Sequence, residues 1–248
     1  MPPPSPAVVA QAPARTAAIW AALDPLVSAG TPLRVLDVGG GSGMFAVPLA
    51  QLGHAVTVLD PSADALATLA RRASTAGAGD RIQGVQGDGD RVLTVLPDAG
   101  RQQFDLVLCH FVLEVVDDPA STLRAVAGVL RPGGTLSTAS ANRAGAVLAR
   151  ALSGHPVEAR ALLTGTDPAP GRARPARRRF SPEELLALLT GAGLQPGEWR
   201  GVGVVAELLG ASSTADPDAV RALELSLAPT SPYRDVAAGV HVLATGPS

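Results

Sequence analysis

This sequence contains no lysine, a single cysteine and no long apolar run. All 20 basic residues are arginine, so the Gly-Lys-Ser/Thr of a phosphate-binding P-loop is absent. The lone Cys109 excludes an intrachain disulfide and favours a reducing compartment. The N-terminal residues lack a secretory signal pattern, and no run reaches the 18 or so apolar residues of a membrane span. We therefore expect a cytoplasmic protein that does not enter the membrane.

Charge and aromatic content restrict the function further. The net charge of −2 lacks the overall basicity typical of nucleic-acid binders. Aromatic residues make up 3% of the chain, which leaves few surfaces on which a flipped base could stack. Residues 172–179 contain five arginines in a loop that is rich in proline and glycine. This run is either a solvated loop or a clamp for phosphate or carboxylate groups.

The alternation of segments predicts an α/β fold. Short apolar runs, such as residues 33–36 and 104–108, alternate with segments of helical spacing. This pattern is typical of a parallel sheet with helices on both faces. The regularity stops at residue 142 and returns at the helix start Ser181–Pro182.

Segment boundaries follow from the same pattern. We predict a disordered N-terminus over residues 1–14 and one domain over residues 15–248, with an insertion at residues 142–180. One helix is expected inside the insertion. The last two strands are expected around residues 202–207 and 240–244.

The stretch LRVLDVGGGSGMFAVPLA, residues 33–50, joins a predicted strand to a helix through a glycine-rich turn. Such a turn lets the backbone approach a ligand closely and presents the N–H groups of the helix to it. Gly41, Gly43 and Ala46 fit the dinucleotide pattern G-x-G-x-x-G/A only loosely, which leaves a nicotinamide oxidoreductase as an alternative. Asp37, at the end of the strand and separated from the glycines by one residue, suits a ligand with an ammonium group and would repel a pyrophosphate.

These residues resemble the first motif of the class I S-adenosylmethionine (SAM) dependent methyltransferases. Four further motifs of that family follow in order: Asp60 at the end of the second strand, Asp88–Gly89, FDLVLCHFVLEVV (104–116) and LRPGGTL (130–136). The resemblance implies a Rossmann-like α/β fold with a mostly parallel seven-stranded sheet, SAM as cofactor and no metal. In that family the residue matching Asp60 holds both ribose hydroxyls, and the Asp88–Gly89 position holds the adenine.

A narrower resemblance is to the bacterial tRNA 5-carboxymethoxyuridine methyltransferase family, which esterifies a carboxylate on a wobble uridine. It rests on residues 15–23, 110–134, 141–148, 178–193 and 223–244. It implies that Arg15 meets the SAM carboxylate and that the basic residues before the Ser-Pro helix (Arg172, Arg174, Arg177, Arg178 and Arg179) lie near the substrate. Together with His110, which follows the fourth strand at the ligand-binding edge, the candidate SAM-binding residues are Arg15, Asp37, Gly39, Gly40, Gly41, Asp60, Asp88, Gly89 and His110.

The acceptor side is less defined by the sequence. The insertion at residues 142–180 is expected to form a cap there, and the candidate residues are Asn142, Arg177, Arg178, Arg179, Tyr233 and Arg234. A carboxylate acceptor is already ionised and needs no catalytic base, whereas a hydroxyl or amine would need one, with His110 or Glu114 as the first candidates. The acceptor is expected to be tRNA. Two alternatives remain: a small anionic metabolite or natural product, and a SAM-binding module without catalysis.

Overall fold

The computed structural model describes residues 7–89, 92–96, 103–165, 177–209 and 213–247, which fold around one seven-stranded sheet. The strands are β1 (Arg34–Val38), β2 (Ala55–Asp60), β3 (Ile82–Gln86), β4 (Phe104–His110), β5 (Leu130–Ala141), β6 (Gln195–Val202) and β7 (Gly239–Thr245). Their spatial order is β3-β2-β1-β4-β5-β7-β6. Pairs from β3 to β5 are parallel, and β7 is antiparallel to both β5 and β6. The predicted mostly parallel sheet of seven strands is confirmed.

Helices connect the strands and cover both faces of the sheet. They are α1 (Ala7–Gln11), α2 (Ala17–Val27), α3 (Ala46–Gln51), α4 (Ala63–Thr75), α5 (Val92–Val95), α6 (Pro119–Val129), α7 (Arg143–Leu152), α8 (Pro156–Thr164), α9 (Pro182–Gly191) and α10 (Pro217–Leu227). Several begin at caps that the sequence indicates. Ser62 accepts a hydrogen bond from the N–H of Ala65, and Ser181 forms a reciprocal capping box with Glu184. Within the described ranges, no helix has the length and apolar character needed to cross a bilayer.

Two hydrophobic clusters lie on opposite faces of the sheet. One packs β-strand residues such as Leu36 and Leu136 against α6 and α9. The other packs residues such as Val58 against Ile19 and Leu49 of α2 and α3. Because both faces are covered, most residues of the central strands β1 and β4 are buried, which explains their largely apolar sequences.

The structure corrects three of the predictions. Residues 7–11 form a helix and Ala12 is buried, so the N-terminal segment is not disordered over residues 7–14; residues 1–6 lie outside the described part. The strand expected at residues 202–207 lies earlier, at β6, and a turn follows it. The segment 142–180, here called the cap segment, contains two helices, α7 and α8, where one was expected.

The two ends of the cap segment meet beside the sheet. Asn142 and Phe180 form an isolated parallel bridge, so the chain leaves and re-enters the fold at one place. Gly145 of α7 lies against the backbone of Ala237, where a Cβ would come within 2.2 Å of the carbonyl oxygen. This close approach positions α7 over the segment that leads into β7.

Candidate active site

The carboxyl ends of the parallel strands form the edge at which ligands bind in open α/β sheets. A cavity of about 360 Å³, the central cavity, lies at this edge. Its lining residues are Arg15, Thr16, Asp37, Gly39, Gly40, Met44, Phe45, His110, Phe111, Val202, Glu207, Ala238 and Gly239. A groove continues from it past Gly39 and Phe111 to Asp60, Asp88 and Gly89. All nine candidate SAM-binding residues except Gly41 line one of these two spaces, and Gly41 is hydrogen-bonded to Asp60.

Asp37 is the most unusual residue at this edge. Its side chain is 3% exposed, and Oδ2 has no hydrogen-bond partner among the residues that the structure describes. Burial, and then the nearby charge of Asp60, raise the pKa of Asp37 from 3.8 to about 7. A buried acceptor without a partner is costly, so this oxygen fits a ligand that brings a donor or a positive charge.

The glycine turn leaves no room for side chains beside Asp37. A Cβ on Gly40 would come within 2.4 Å of Asp37 Oδ2, and one on Gly39 within 2.4 Å of a Val112 methyl group. Gly39 and Gly41 also have positive φ angles of 68° and 55°, which L-residues with side chains rarely adopt. Close contact of backbone, carboxylate and ligand therefore requires glycine here.

Asp60 ties the glycine turn to the end of β2. Its Oδ2 accepts a hydrogen bond from the N–H of Gly41 at 2.9 Å, and its Oδ1 accepts one from the N–H of Ser62 at 2.9 Å. The carboxylate is thereby fixed at the mouth of the groove. Each oxygen keeps a lone pair with which it could accept a further bond.

The half-buried His110 belongs to a chain of three polar side chains on neighbouring strands, of which Ser137 and His241 are fully buried. Its Nε2 lies 2.8 Å from Ser137 Oγ, which lies 2.8 Å from Nε2 of His241. Burial lowers the pKa of His110 to about 3 and that of His241 well below its ordinary value. His110 is therefore a neutral wall of the central cavity at neutral pH and a weak base.

Glu114, the second candidate base, is also poorly placed to take a proton from an acceptor. Its side chain is 6% exposed, accepts a short hydrogen bond from the N–H of Ala141, and does not line the central cavity. Burial raises its pKa, opposed by the hydrogen bond from Ala141 and by the charges of Arg177 and Arg179. Its place is behind the cavity wall, at the start of the cap segment.

Several acceptor-side candidates are occupied within the protein. Asn142 is fully buried, donates to the carbonyl oxygens of Asp235 and Ala237, and accepts from the N–H of Ala144. Arg178 donates to two carbonyl oxygens of the loop after β4. Both residues hold the cap segment in place, so the structure does not offer them to an acceptor.

The remaining acceptor candidates are spread over the surface. Tyr233 is half exposed, and the Arg234 guanidinium stacks 4.3 Å from the Trp199 ring centroid. Arg177 is exposed, whereas Arg179 is half-buried and lines a second cavity. Arg172 and Arg174 lie outside the described residues. Among the described members of this set, Arg179 alone lines a cavity that adjoins the central one.

That second cavity, the side cavity, also measures about 360 Å³ and shares Glu207 and Ala238 with the central cavity. It lies between α7 and the segments before and after α10. The sequence does not predict this cavity, because its walls come from segments that are distant in the chain: α7, Arg179, the turn after β6 and the segment before β7.

Two acidic residues that build these cavities were also missed. Glu207 lines both cavities and forms an ion pair with Arg15, with 2.5 Å between Nε and Oε1. Glu224 is fully buried and accepts hydrogen bonds from the N–H groups of Val204, Val205 and Ala206. Neither lies in a motif, and a lone glutamate in a turn, such as Glu207, or on a helix, such as Glu224, gives no signal of such a role.

Comparison with known proteins decides the family of the cofactor half. Residues 36–138 match the family model described as a methyltransferase domain. Over these residues, the chain is similar to methyltransferases. Its sheet is the Rossmann-like fold of class I methyltransferases, as the resemblance implied. Magnesium protoporphyrin IX methyltransferase from Synechocystis PCC 6803, solved with bound SAH, shares this fold with a TM-score of 0.60 at 15% identity, covering 94% of this chain and 84% of that one.

Sequence relatives match longer stretches of the chain than the family model does. The tRNA 5-carboxymethoxyuridine methyltransferase of Escherichia coli (strain K12) is 36% identical over 143 residues, 57% of this chain and 53% of the relative. The ubiquinone biosynthesis O-methyltransferase of Xanthomonas euvesicatoria pv. vesicatoria (strain 85-10) is 40% identical over 164 residues, 65% of this chain and 62% of the relative. The chain thus spans less than two thirds of the length of these relatives, and their names differ in the acceptor.

Proposed function

We propose that this protein is a SAM-dependent methyltransferase that acts on an anionic acceptor. The observation that carries the cofactor assignment is the buried, unpartnered oxygen of Asp37 beside the glycine turn. An ammonium group at this position would supply the missing donor and return the pKa of Asp37 towards its ordinary value. The family match of residues 36–138 supports the same cofactor.

The other candidate residues fit the rest of the cofactor. Asp60, with a lone pair left on each oxygen, would accept the ribose hydroxyls, and Asp88 with Gly89 would hold the adenine in the groove. Arg15 would bind the carboxylate at the mouth of the central cavity, after release from Glu207. When bound, SAM supplies an electrophilic methyl group on a sulfonium. Among the described residues, no group of three or more His, Cys, Asp or Glu is placed to hold a metal ion.

The weakness of the candidate bases among the described residues supports an anionic acceptor. His110 lines the central cavity, but its pKa of about 3 makes it a poor proton acceptor at neutral pH. Glu114 stands outside that cavity. A carboxylate needs no base, so the protein has to orient it and exclude water; orientation alone reaches effective molarities of about 10⁵ M or more.

Two acceptor classes remain within this proposal. Carboxymethoxyuridine in tRNA is supported by the 36% identity to the Escherichia coli relative and by the likeness of the chain segments named above. A small anionic metabolite or natural product is supported by the side cavity, whose walls are mostly apolar. Both are compatible with a cytoplasmic location, which stays a prediction from the single cysteine.

The test has a binding stage and a transfer stage. Calorimetry should show SAM binding to the wild type and a loss of at least about a hundredfold for Asp37→Ala, because a buried ion pair that loses one partner costs about 3–5 kcal/mol. Labelled methyl transfer is then measured with bulk tRNA from a strain deleted for this gene, followed by nucleoside mass spectrometry, and with small carboxylates.

Each outcome has a distinct meaning. A methyl gain on carboxymethoxyuridine would identify tRNA, and a gain only on small carboxylates would identify the second class. SAM binding without formation of S-adenosylhomocysteine with either acceptor class would leave a non-catalytic SAM-binding module. Absence of SAM binding, with binding of NAD, would contradict the proposal and favour the oxidoreductase.

A further inference from the structure

The side cavity has the composition of a site for an amphipathic ligand. Its walls are aliphatic, from Leu148 and Leu152 of α7, from Val204 and Leu208 after β6, and from Val236 before β7. Leu148, Leu152, Leu208 and Val236 are 43%, 75%, 59% and 42% exposed, which is unusual clustering for large apolar side chains on one surface. The cavity size lies within the range of small-molecule sites, about 300–1,000 Å³.

Two arginines add positive charge to this apolar cavity. Arg150 reaches it from α7, and Arg179 reaches it from the chain that returns to the bridge at Phe180. Burial, and then the charges of Arg150 and Arg177, lower the pKa of Arg179, whereas the charge of Glu114 acts in the opposite direction. Like charges that repel each other at one cavity favour an anionic ligand between them.

The existing partners of these arginines leave their charge largely uncompensated. Arg150 lies 3.4 Å from a carboxylate oxygen of Glu158, with both side chains 40% exposed or more, and such exposed pairs contribute little. Arg179 donates to the carbonyl oxygen of Arg177 at 3.2 Å and, within the described residues, forms no ion pair. Both guanidinium groups therefore keep donors for a ligand carboxylate or phosphate.

We propose that the side cavity is the acceptor site and that it selects a small amphipathic anion. An apolar body lies along α7 and the turn after β6, while a carboxylate or phosphate group is anchored between Arg150 and Arg179. This inference rests on the proposed function, because the side cavity adjoins the central cavity at Glu207 and Ala238, where the acceptor would meet the methyl group.

The anchored anion is distinct from the atom that receives the methyl group. Arg150 and Arg179 line the side cavity and do not line the central cavity. The anionic anchor thus lies outside the space assigned to SAM, and the reacting carboxylate extends from the other end of the acceptor. The acceptor class is therefore an apolar compound with two separated anionic groups.

The composition of the side cavity favours a small molecule over a polynucleotide. Bases in single-stranded RNA are mostly recognised by stacking on aromatic rings, and none of the described residues that line this cavity is aromatic. Two arginines suffice for one anionic group, whereas a polynucleotide is held by several phosphate contacts along its backbone.

The experiment uses 4-butoxybenzoate as an anionic probe and 4-butoxybenzamide as its neutral counterpart, titrated into the full chain by calorimetry. The benzoate should bind at least about tenfold more tightly than the amide, since charge-assisted bidentate bonds to arginine are strong. In the double variant Arg150→Gln, Arg179→Gln this preference should disappear. The matched control is Arg160→Gln, an exposed arginine on α8 that does not line the cavity and should leave it unchanged.

Further measurements separate folding, cofactor and acceptor effects. Raising NaCl from about 50 to about 500 mM should weaken the binding of the benzoate to the wild type and leave the binding of the amide unchanged. This comparison tests the contribution of the ligand's charge without any variant. SAM binding to the double variant should equal that of the wild type and also reports folding. If the wild type binds the benzoate but does not bind SAM, the proposed function is contradicted, whereas the anion site in the side cavity is not.

Three results would overturn the inference. One is equal affinity for benzoate and amide. Another is unchanged benzoate binding in the double variant. The third is that a tRNA anticodon stem-loop binds in an Arg150- and Arg179-dependent way while the benzoate does not bind, which would assign the arginines to RNA phosphates.

Discussion

The cofactor side and the acceptor side of this protein are built in different ways. On the cofactor side, Asp37 is the last residue but one of β1, Asp60 and His110 end β2 and β4, and the glycine turn follows directly on β1. On the acceptor side, the cavity walls come from α7, Arg179, the turn after β6 and the segment before β7. Strand ends place the first group by topology alone, whereas only side-chain packing between distant segments assembles the second. This difference explains why a common cofactor site can accompany different acceptors.

On the cofactor side, the largest expected effect is a change in how the free energy of unfolding depends on pH. In the ligand-free protein, the pKa of Asp37 is raised from 3.8 to about 7. Below about pH 4 the Asp37 carboxyl is protonated in both the folded and the unfolded chain, and above about pH 7 it is ionised in both. Between these limits the free-energy cost of burying the ionised carboxylate grows, so the free energy of unfolding falls as the pH rises. At about 1.4 kcal/mol per pH unit, that cost reaches about 4 kcal/mol.

Asp37→Asn measures this cost. The stability of the variant relative to the wild type should rise from about pH 4 to about pH 7 and then level off, as followed by urea unfolding without SAM. Added SAM should stabilise the wild type and leave the variant unchanged. A difference that does not depend on pH would show that the Asp37 carboxylate already has a partner in the ligand-free protein.

The sequence was sufficient for the parts of the fold that local chemistry decides. The caps at Ser62 and Ser181, and the strand-turn-helix with Asp37 in place, lie where local signals put them. The position of β6 could not be predicted from the sequence, because QPGEWRGV lacks the apolar alternation of a strand. It is a strand because it pairs with β7. Likewise, the burial of Asn142 depends on carbonyl oxygens more than 90 residues away. Such convergence leaves no periodic signal.

On the acceptor side, we expect the largest effect on stability and ligand binding from a substitution of Glu224. Its carboxylate accepts three backbone N–H bonds from residues 204–206, which hold the turn that carries Glu207 and Leu208. Glu224→Ala leaves these buried donors without a partner, so unfolding free energy should fall by about 3 kcal/mol. Binding of 4-butoxybenzoate should weaken more than SAM binding, as measured by calorimetry below the unfolding transition.

The exposed Glu198 provides the control for this change. Glu198→Ala removes the same chemical group from β6 without burial, and both stability and ligand binding should stay close to the wild type. If Glu224→Ala weakens SAM and benzoate binding equally, the two sides are not as independent as their construction suggests.

A smaller effect on the cofactor side is expected from Gly40→Ala. The added methyl would lie 2.4 Å from Asp37 Oδ2 and has to displace the carboxylate. SAM affinity should fall by about tenfold, a loss comparable to one misplaced charge-assisted hydrogen bond. The control is Gly191→Ala at the end of α9, where a Cβ meets no atom within 4 Å. Equal affinities of the two variants would show that the carboxylate can move without loss.

The smallest effect should come from Arg15, which connects the two sides. Its side chain is 64% exposed and already paired with Glu207, so binding a SAM carboxylate exchanges one ion pair for another. Arg15→Ala should therefore weaken SAM binding by only about threefold, within the range of exposed ion pairs. Glu207→Gln should do the opposite and strengthen it slightly, because Arg15 no longer has to be released. If Arg15→Ala instead costs more than about thirtyfold, or Glu207→Gln weakens binding, the Arg15–Glu207 pair positions the cofactor as a unit, and Glu207 then belongs to the cofactor side although it lines both cavities.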